Sequence, residues 1–183
     1  MITIDTPIGP FSMTGNGLAV TEAGFYCACE ATRGQCPHEA DAFPRDLESK
    51  ERAFKIAQSR HRRGTELPNA GVPPEAIKAL ESYFDGDFAA LESVPVRQSG
   101  TPYLEHCWDV LRTLREPITY SEFAHLTGKP RAVRAAAQGC ARNHVALFVP
   151  CHRVLRADGS LGGYRWGLHV KEWLLDHERK ILS

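Results

Sequence analysis

The chain has 183 residues, 43% hydrophobic and 24% charged, with 22 basic residues balanced by 22 acidic ones. This is the composition of a globular protein with a substantial core, and it excludes fibrous, low-complexity and disordered classes. No apolar run reaches membrane-spanning length and no basic segment precedes an apolar one at the N-terminus, so neither a transmembrane helix nor a signal peptide is expected. Six cysteines without regular spacing suit a reducing cytosol better than a disulfide framework.

The neutral total hides an uneven distribution. Residues 129–156 hold Lys129, Arg131, Arg134, Arg142, Arg153 and Arg156 and no acid, whereas residues 1–128 hold 18 acids and 12 bases. A localised positive field suggests a polyanionic partner, and it favours the anionic form of any thiol within it. A solvated helix face is the ordinary alternative for a charge run. Here small apolar residues separate the basic ones.

Residues 2–29 read as short β-strands. Ile2-Thr3-Ile4, Phe11-Ser12-Met13 and Leu18-Ala19-Val20 are punctuated by Pro7, Gly9 and Gly15-Asn16-Gly17, the last a hairpin signal, and Phe25–Cys29 is a candidate next strand. Cys27, Cys29, Cys36 and His38 are four soft ligands at close spacing. They lack the Cys-x-x-Cys knuckle of a structural zinc site, so free thiols are the expectation and no metal is assigned. Leu47–Arg60 reads as a charged helix, followed by the basic Arg60-His61-Arg62-Arg63. Pro73-Pro74 opens a helix over Glu75–Phe84 with Ile77, Leu80 and Phe84 on its apolar face, stopped by Asp85-Gly86. Residues 85–100 form a polar connection, with a domain boundary placed near 95–100.

From Thr101 the pattern is helical. Thr101 is an N-cap and Pro102 the first helical residue; Leu104, Cys107, Trp108, Leu111 and Leu114 form the buried stripe, and Pro117 ends it. Two short helices follow, Ser121–Leu126 and Pro130–Cys140, around the turn Thr127-Gly128-Lys129. This is a helix-turn-helix outline. The second helix is built of Ala and Arg, too slight to read a wide groove and suited to close backbone approach, as in a minor groove. An Ala-rich core helix would have the same composition.

Phe148-Val149-Pro150-Cys151-His152-Arg153-Val154-Leu155 is the chemically loaded stretch. A thiol is a weak nucleophile until deprotonated, and an adjacent imidazole is a common means of deprotonating it. Pro150 fixes the backbone before Cys151 and makes this a shaped turn. A Gly-rich loop, residues 157–164, and a last helix over Trp166–Leu182 complete the chain, with Leu168, Trp173, Leu174, Leu175 and Ile181 as apolar positions.

Pro150-Cys151-His152-Arg153-Val154, with Arg134 and Asn143 before it and Gly162-Gly163-Tyr164 and Val170-Lys171-Glu172-Trp173-Leu174-Leu175 after it, resembles the O6-alkylguanine-DNA alkyltransferase family over residues 100–182. Weaker similarity covers Ile4–Gly9 and Leu80–Gly86. The resemblance implies an α/β N-terminal domain (1–98) with a small antiparallel sheet, ribonuclease-H-like. A mostly α C-terminal domain (99–183) follows, with a helix-turn-helix, winged-helix-like. It implies direct repair: one irreversible transfer of the alkyl group from O6-alkylguanine, less well from O4-alkylthymine, to Cys151 after nucleotide flipping. By the same resemblance His152 takes the thiol proton through a water, Glu178 orients His152, and Tyr120 meets the charge developing on the base. Arg134 enters the duplex, with Ala135, Tyr120 and Arg142 on the DNA face. Asn143, Val154, Tyr164 and Arg153 shape the substrate pocket. The implied partner is double-stranded DNA through its minor groove. No cofactor and no membrane are implied, and a monomer is expected, in the cytoplasm (nucleoid-associated in a prokaryote) or in the nucleus of a eukaryote.

Tyr103-Leu104 stands where Phe-Gln is frequent, Arg142 replaces a common Gly, and Ala146 is small at a wall position. Two other readings are a lesion-recognition protein without alkyl transfer and a cysteine hydrolase. Such recognition proteins lack the Cys, and a contiguous Cys-His pair on one turn argues against the hydrolase.

Overall fold

The computed structural model describes residues 1–25 and 71–182. Tyr26–Cys29 of the expected strand, the Cys27, Cys29, Cys36 and His38 cluster, the helix expected over Leu47–Arg60 and the basic run after it lie outside the described residues.

Three strands, Ile2–Thr6 (β1), Gly9–Gly15 (β2) and Val20–Phe25 (β3), form an antiparallel sheet in the order β1-β2-β3. β1 alternates, with Ile4 and Thr6 buried and Thr3 and Asp5 exposed, as a strand with one solvated face must. Central β2 buries Phe11, Ser12 and Met13 in succession and so is covered on both faces. Phe11 opposes Phe25 in register, the rings meeting edge to face at 4.8 Å. The Gly15-Asn16-Gly17 turn appears as read, and the strand after it is longer than read, running through to Phe25. The other edge of β3 is closed by single parallel bridges to Val96 and Val145. Arg97 N–H donates to the Val20 carbonyl at 2.9 Å and Ala146 N–H to the Ala23 carbonyl at 2.8 Å. One strand thereby fixes two distant segments, and the second leads into the Cys151 loop.

Pro74–Phe84 (α1) has Pro74 in its first turn, where a missing N–H costs nothing. Its buried face is Ala76, Ala79, Leu80, Tyr83 and Phe84, whereas Ile77 is half-buried at its margin. Small Ala residues let α1 sit close, and a Tyr, not the Ile, is its most buried large side chain. The connection expected to be polar contains a 3-10 helix, Phe88–Ser93, with Leu91 buried. Arg112 fastens it by donating to the carbonyls of Glu92 and Val94 at 2.7 and 2.9 Å.

Pro102–Thr113 (α2) follows the expected cap and stripe: Thr101 Oγ1 accepts from Leu104 N–H, and Leu104, Cys107, Trp108 and Leu111 are buried. Burial of each large apolar side chain contributes roughly 1.5–3 kcal/mol. Ile118–Thr119 (β4) precedes Tyr120–Leu126 (α3), which starts on a reciprocal capping box between Thr119 and Glu122. The second helix of the pair, Val133–Ala141 (α4), starts three residues later than Pro130 suggested. Gly128, at φ 74°, turns the chain so that Lys129 N–H reaches the Ala124 carbonyl. Residues 130–132 then form a turn that the Ala132 N–H to Lys129 carbonyl bond closes, leaving Pro130 outside the helix. α4 packs against α2 at Gly139: a Cβ built there would stand 2.7 Å from Cys107 Cβ, and the Gly139 carbonyl accepts Trp108 Nε1–H at 2.9 Å.

Cys151–Arg153 form one 3-10 turn and run into Val154–Leu155 (β5), which pairs in parallel with β4, Ile118 opposite Val154. The last helix, Leu168–Leu182 (α5), begins two residues later than read, after Gly167 at φ 99°. It buries Val170, Lys171, Leu174, Leu175 and Glu178, while Leu168 is exposed. One apolar core runs from Ile4 in the sheet to Leu174 in α5.

Candidate active site

The approach to Cys151 is shaped by backbone before any side chain acts. Leu147 holds a left-handed conformation, φ 66°, which costs a non-glycine residue about 1–2 kcal/mol. Its burial and the short turns around it, Phe148 N–H to the Ala146 carbonyl and Val149 N–H to the Val145 carbonyl, hold it there. Asn143, buried just after α4, organises the same loop from inside. Its Oδ1 accepts Val145 N–H at 3.0 Å, and its Nδ2 donates to the Val149 carbonyl at 2.8 Å and to Cys151 Sγ at 3.2 Å. A donor aimed at sulfur favours the thiolate over the thiol.

Cys151 itself is buried. Burial pushes its thiol above the usual value, and the Asn143 hydrogen bond, the Lys171 charge and, more weakly, the Arg165 charge pull against that. Lys171 carries no sign of a role in its local sequence, and it is the most unusual residue of the site. Fully buried on α5, its Nζ donates to the Val154 carbonyl at 2.7 Å and to the Leu161 carbonyl. It ties the Gly-rich loop to β5 and places positive charge within reach of the thiol.

His152 is fully buried, and its Nε2 lies 2.9 Å from Glu178 Oε1. Glu178 also accepts Arg153 Nε–H on Oε2 and Arg153 Nη2–H on Oε1, both at 2.9 Å, and the Tyr83 hydroxyl on Oε1 at 2.8 Å. Burial acts to raise the Glu178 pKa, but His152 and the Arg153 guanidinium reverse this and hold the carboxyl well below the usual range. Burial lowers the His152 pKa despite Glu178. The consistent state at neutral pH is an ionised Glu178 balanced by Arg153 and a neutral His152 whose Nε2–H donates to Oε1. The lone pair is then on Nδ1. That atom is buried and, among the described residues, has no hydrogen-bond partner. A buried imidazole nitrogen with an open lone pair, one residue from a thiol, has the chemistry a general base requires.

Tyr120 opens α3 directly after β4, so the pairing of Ile118 with Val154 brings it beside the Cys151 turn. Burial, with smaller effects of Cys140 and Cys151, pushes its pKa up to about 12, so it stays protonated and can donate a hydrogen bond at neutral pH. A Cβ built on Gly162 would lie 3.4 Å from the Tyr120 hydroxyl oxygen, so the Gly-rich loop passes close to this group. Tyr164 faces the site from that loop. Its ring meets His152 edge to face at 6.5 Å, and its buried hydroxyl has no partner among the described residues. Two of the three unpartnered buried polar side-chain atoms among the described residues, His152 Nδ1 and Tyr164 Oη, thus belong to one site. Unpaired buried polar atoms are costly and point to a ligand or water that would satisfy them.

The structure brings together Cys151, His152, Glu178, Tyr120, Asn143, Val154 and Tyr164. Arg153, expected in the substrate pocket, instead directs its guanidinium to Glu178 and the Leu114 carbonyl. Arg134 and Arg142 are exposed along α4 and at its end, and Ala135 is half-buried. Lys129 lies over the Tyr103 ring at 4.0 Å, while the Tyr103 hydroxyl bonds Thr127 Oγ1 at 3.0 Å. The Tyr at position 103 therefore braces the turn between α3 and α4. Besides Lys171, sequence reasoning missed Tyr83 and Cys140. Cys140 gave no local signal, although it lies close enough to Tyr120 and Cys151 for its ionisation to oppose theirs. Among the described residues no cluster of His, Cys, Asp or Glu could hold a metal ion, and no helix is long and apolar enough to cross a membrane.

A profile for the 6-O-methylguanine DNA methyltransferase DNA-binding domain matches residues 102–180. A methylated-DNA–protein-cysteine methyltransferase of Shigella flexneri is 33% identical over 138 residues, 74% of this chain and 81% of that protein. The Escherichia coli bifunctional transcriptional activator/DNA repair enzyme Ada is 46% identical over 88 residues, 47% of this chain and 25% of Ada. Mycobacterium tuberculosis OGT, solved in complex with DNA, superposes with a TM-score of 0.64 at 26% identity, covering 98% of this chain and 92% of that one. The chain belongs to the methylated-DNA–protein-cysteine methyltransferase family.

Proposed function

We propose that this protein repairs alkylated DNA by direct reversal, moving the alkyl group of O6-alkylguanine, and less well of O4-alkylthymine, onto Cys151 once and irreversibly. The observation that carries the reading is the buried Cys151 thiol held by Asn143, next to a neutral His152 whose Nδ1 is open and whose Nε2 is fixed on Glu178. His152 Nδ1 takes the thiol proton, through a water. The sulfur electron pair forms the S–C bond as the C–O bond breaks, and those electrons remain on the guanine. Tyr120 O–H donates to the base as this charge develops, and the proton from Cys151 ends on guanine, which leaves neutral. The product thioether has no route back, so the protein is spent.

DNA is bound by the helix-turn-helix of α3 and α4, with Arg134, Ala135, Arg142 and Tyr120 at its face and the duplex approached from the minor groove. Arg134, exposed on α4 and free of acidic neighbours in sequence, is suited to fill the gap left by a flipped nucleotide. Val154, Tyr164 and the Gly-rich loop form the base pocket, with Asn143 holding the turn beneath it. We assign residues 1–98 to a ribonuclease-H-like domain and 99–183 to a winged-helix-like alkyl-acceptor domain. The protein acts as a monomer in the cytoplasm, without cofactor or membrane.

The test is titration with a duplex carrying one O6-methylguanine, followed by intact mass. The reading requires a gain of about 14 Da that saturates at one equivalent. Binding without mass gain, or conversion of many equivalents, overturns it.

A further inference from the structure

Cys151, His152 and Glu178 all lie within the last third of the chain, yet Glu178 also receives a hydrogen bond from α1, almost a hundred residues earlier. Tyr83 is completely buried there, and its hydroxyl donates to Glu178 Oε1 at 2.8 Å. Oε1 is the oxygen that also takes His152 Nε2–H. Arg153 holds both carboxylate oxygens, one through Nε and one through Nη2, so the orientation of Glu178 is fixed without Tyr83. The Tyr83 ring is itself held by Phe84 and Phe88, each with its centroid 5.3 Å away, so a phenyl ring would fill the same space. The hydroxyl adds something other than shape or aim: it competes with His152 for the electron density of one oxygen.

We propose that Tyr83 is a positioning residue that moderates His152 as a base, drawing charge off the oxygen His152 uses and so setting the pH at which Cys151 yields its proton. The inference rests on the alkyl-transfer reading. Burial and the neighbouring Glu178 both push the Tyr83 pKa well up, so the hydroxyl stays a donor across the working range. The other titratable or charged groups facing the pair are Arg153 and Cys151 on the same turn, Lys171 and His177 on α5, and Tyr164 on the Gly-rich loop. His177 Nε2 is engaged by the Tyr83 carbonyl at 3.2 Å, and Lys171 Nζ by the Val154 and Leu161 carbonyls. Replacing the Tyr83 hydroxyl leaves all of these contacts in place. Without it, more of the Glu178 charge falls on His152, the imidazolium is favoured, and the thiol proton moves at lower pH.

The experiment uses the full chain and free O6-benzylguanine, which needs no DNA binding. The rate of Cys151 alkylation is measured between about pH 5 and 9 for the wild type, for Tyr83→Phe, and for protein with 3-fluorotyrosine at position 83 alone. Tyr83→Phe moves the midpoint down by about half a unit, and the fluorinated phenol, a stronger donor, moves it up. A Tyr83→Phe rate reduced by one factor at every pH, with the midpoint unmoved, would reveal a purely structural role and overturn the proposal, as would an upward shift. If Tyr83→Phe does not fold, the fluorotyrosine protein decides, and an unmoved midpoint there is equally fatal. A wild type that does not react removes the alkyl-transfer reading and this inference together. A wild type that reacts beside variants with unmoved midpoints removes this inference alone.

Discussion

Replacing Arg153 by Met tests the electrostatic frame of the site. The side chain is buried, with Nε and Nη2 each 2.9 Å from a Glu178 oxygen and Nη1 on the Leu114 carbonyl. Met fills much of the volume and removes the charge, leaving Glu178 with Tyr83 and a neutral His152. Breaking a buried pair by deleting one partner costs about 3–5 kcal/mol, which in a chain of this size is roughly 6–20 °C in Tm. The pH dependence carries the sign of the effect. In the wild type the folded-state pKa of Glu178 lies below the ordinary value of 4.5, so its contribution is present above that pH and is lost as pH falls through the folded value. Without Arg153 the carboxyl loses its guanidinium partner and its folded-state pKa rises, although the His152 and Tyr83 hydrogen bonds still favour the carboxylate. Less of the Glu178 contribution is then present above the unfolded pKa in the variant, and less is lost as pH falls. The stability gap between the two proteins should therefore narrow as pH falls below the ordinary value of 4.5. Urea unfolding at several pH values, with Glu178→Gln and the double variant closing the cycle, measures this. A deficit below about 1 kcal/mol, or one independent of pH, would refute the frame.

Four further outcomes follow from the geometry. Asn143→Leu removes the donor to Cys151 Sγ and the loop bonds to Val145 and Val149, and should slow alkylation by O6-benzylguanine at least tenfold while costing about 1–3 kcal/mol in stability, read by mass spectrometry and denaturant melts. Lys171→Met removes the buried charge that favours the thiolate, so the midpoint of Cys151 reactivity towards a small alkylating reagent should rise; an unchanged midpoint contradicts that role. Arg134→Ala should slow repair of duplex DNA by tenfold or more and leave the reaction with free O6-benzylguanine unchanged, whereas equal loss on both substrates would remove Arg134 from flipping. Gly139→Ala forces α4 away from Cys107 and should lower Tm by several degrees, with duplex affinity falling too; a neutral substitution would mean that the helices separate freely.

What was legible in the sequence was what neighbouring residues decide. Thr101-Pro102 sets the start of α2, Gly15-Asn16-Gly17 makes the hairpin, and Pro150 shapes the turn into Cys151. The errors arose where a local signal competed with packing. Pro130 looks like a first helical residue, but the turn begun at Gly128 runs on through residue 132. Ile77 looks like the face of α1, but the close approach belongs to Ala76 and Ala79, and Tyr83 is anchored by a carboxylate on α5. Arg153 follows the Cys-His pair and reads as a pocket residue, yet its guanidinium turns away to Glu178. Tyr83 and Lys171 left no signal in their own neighbourhoods. Their partners lie 95 residues away in one case and on two separate backbone carbonyls in the other, so only the folded chain brings these contacts into view.

The most direct test is to find the acceptor atom. After reaction with duplex O6-methylguanine, the digested protein should carry the added methyl group on the peptide containing Cys151, while the Cys107 and Cys140 peptides stay unmodified and Cys151→Ala gains nothing. A methyl group on Cys107 or Cys140, or one retained by Cys151→Ala, would contradict the account.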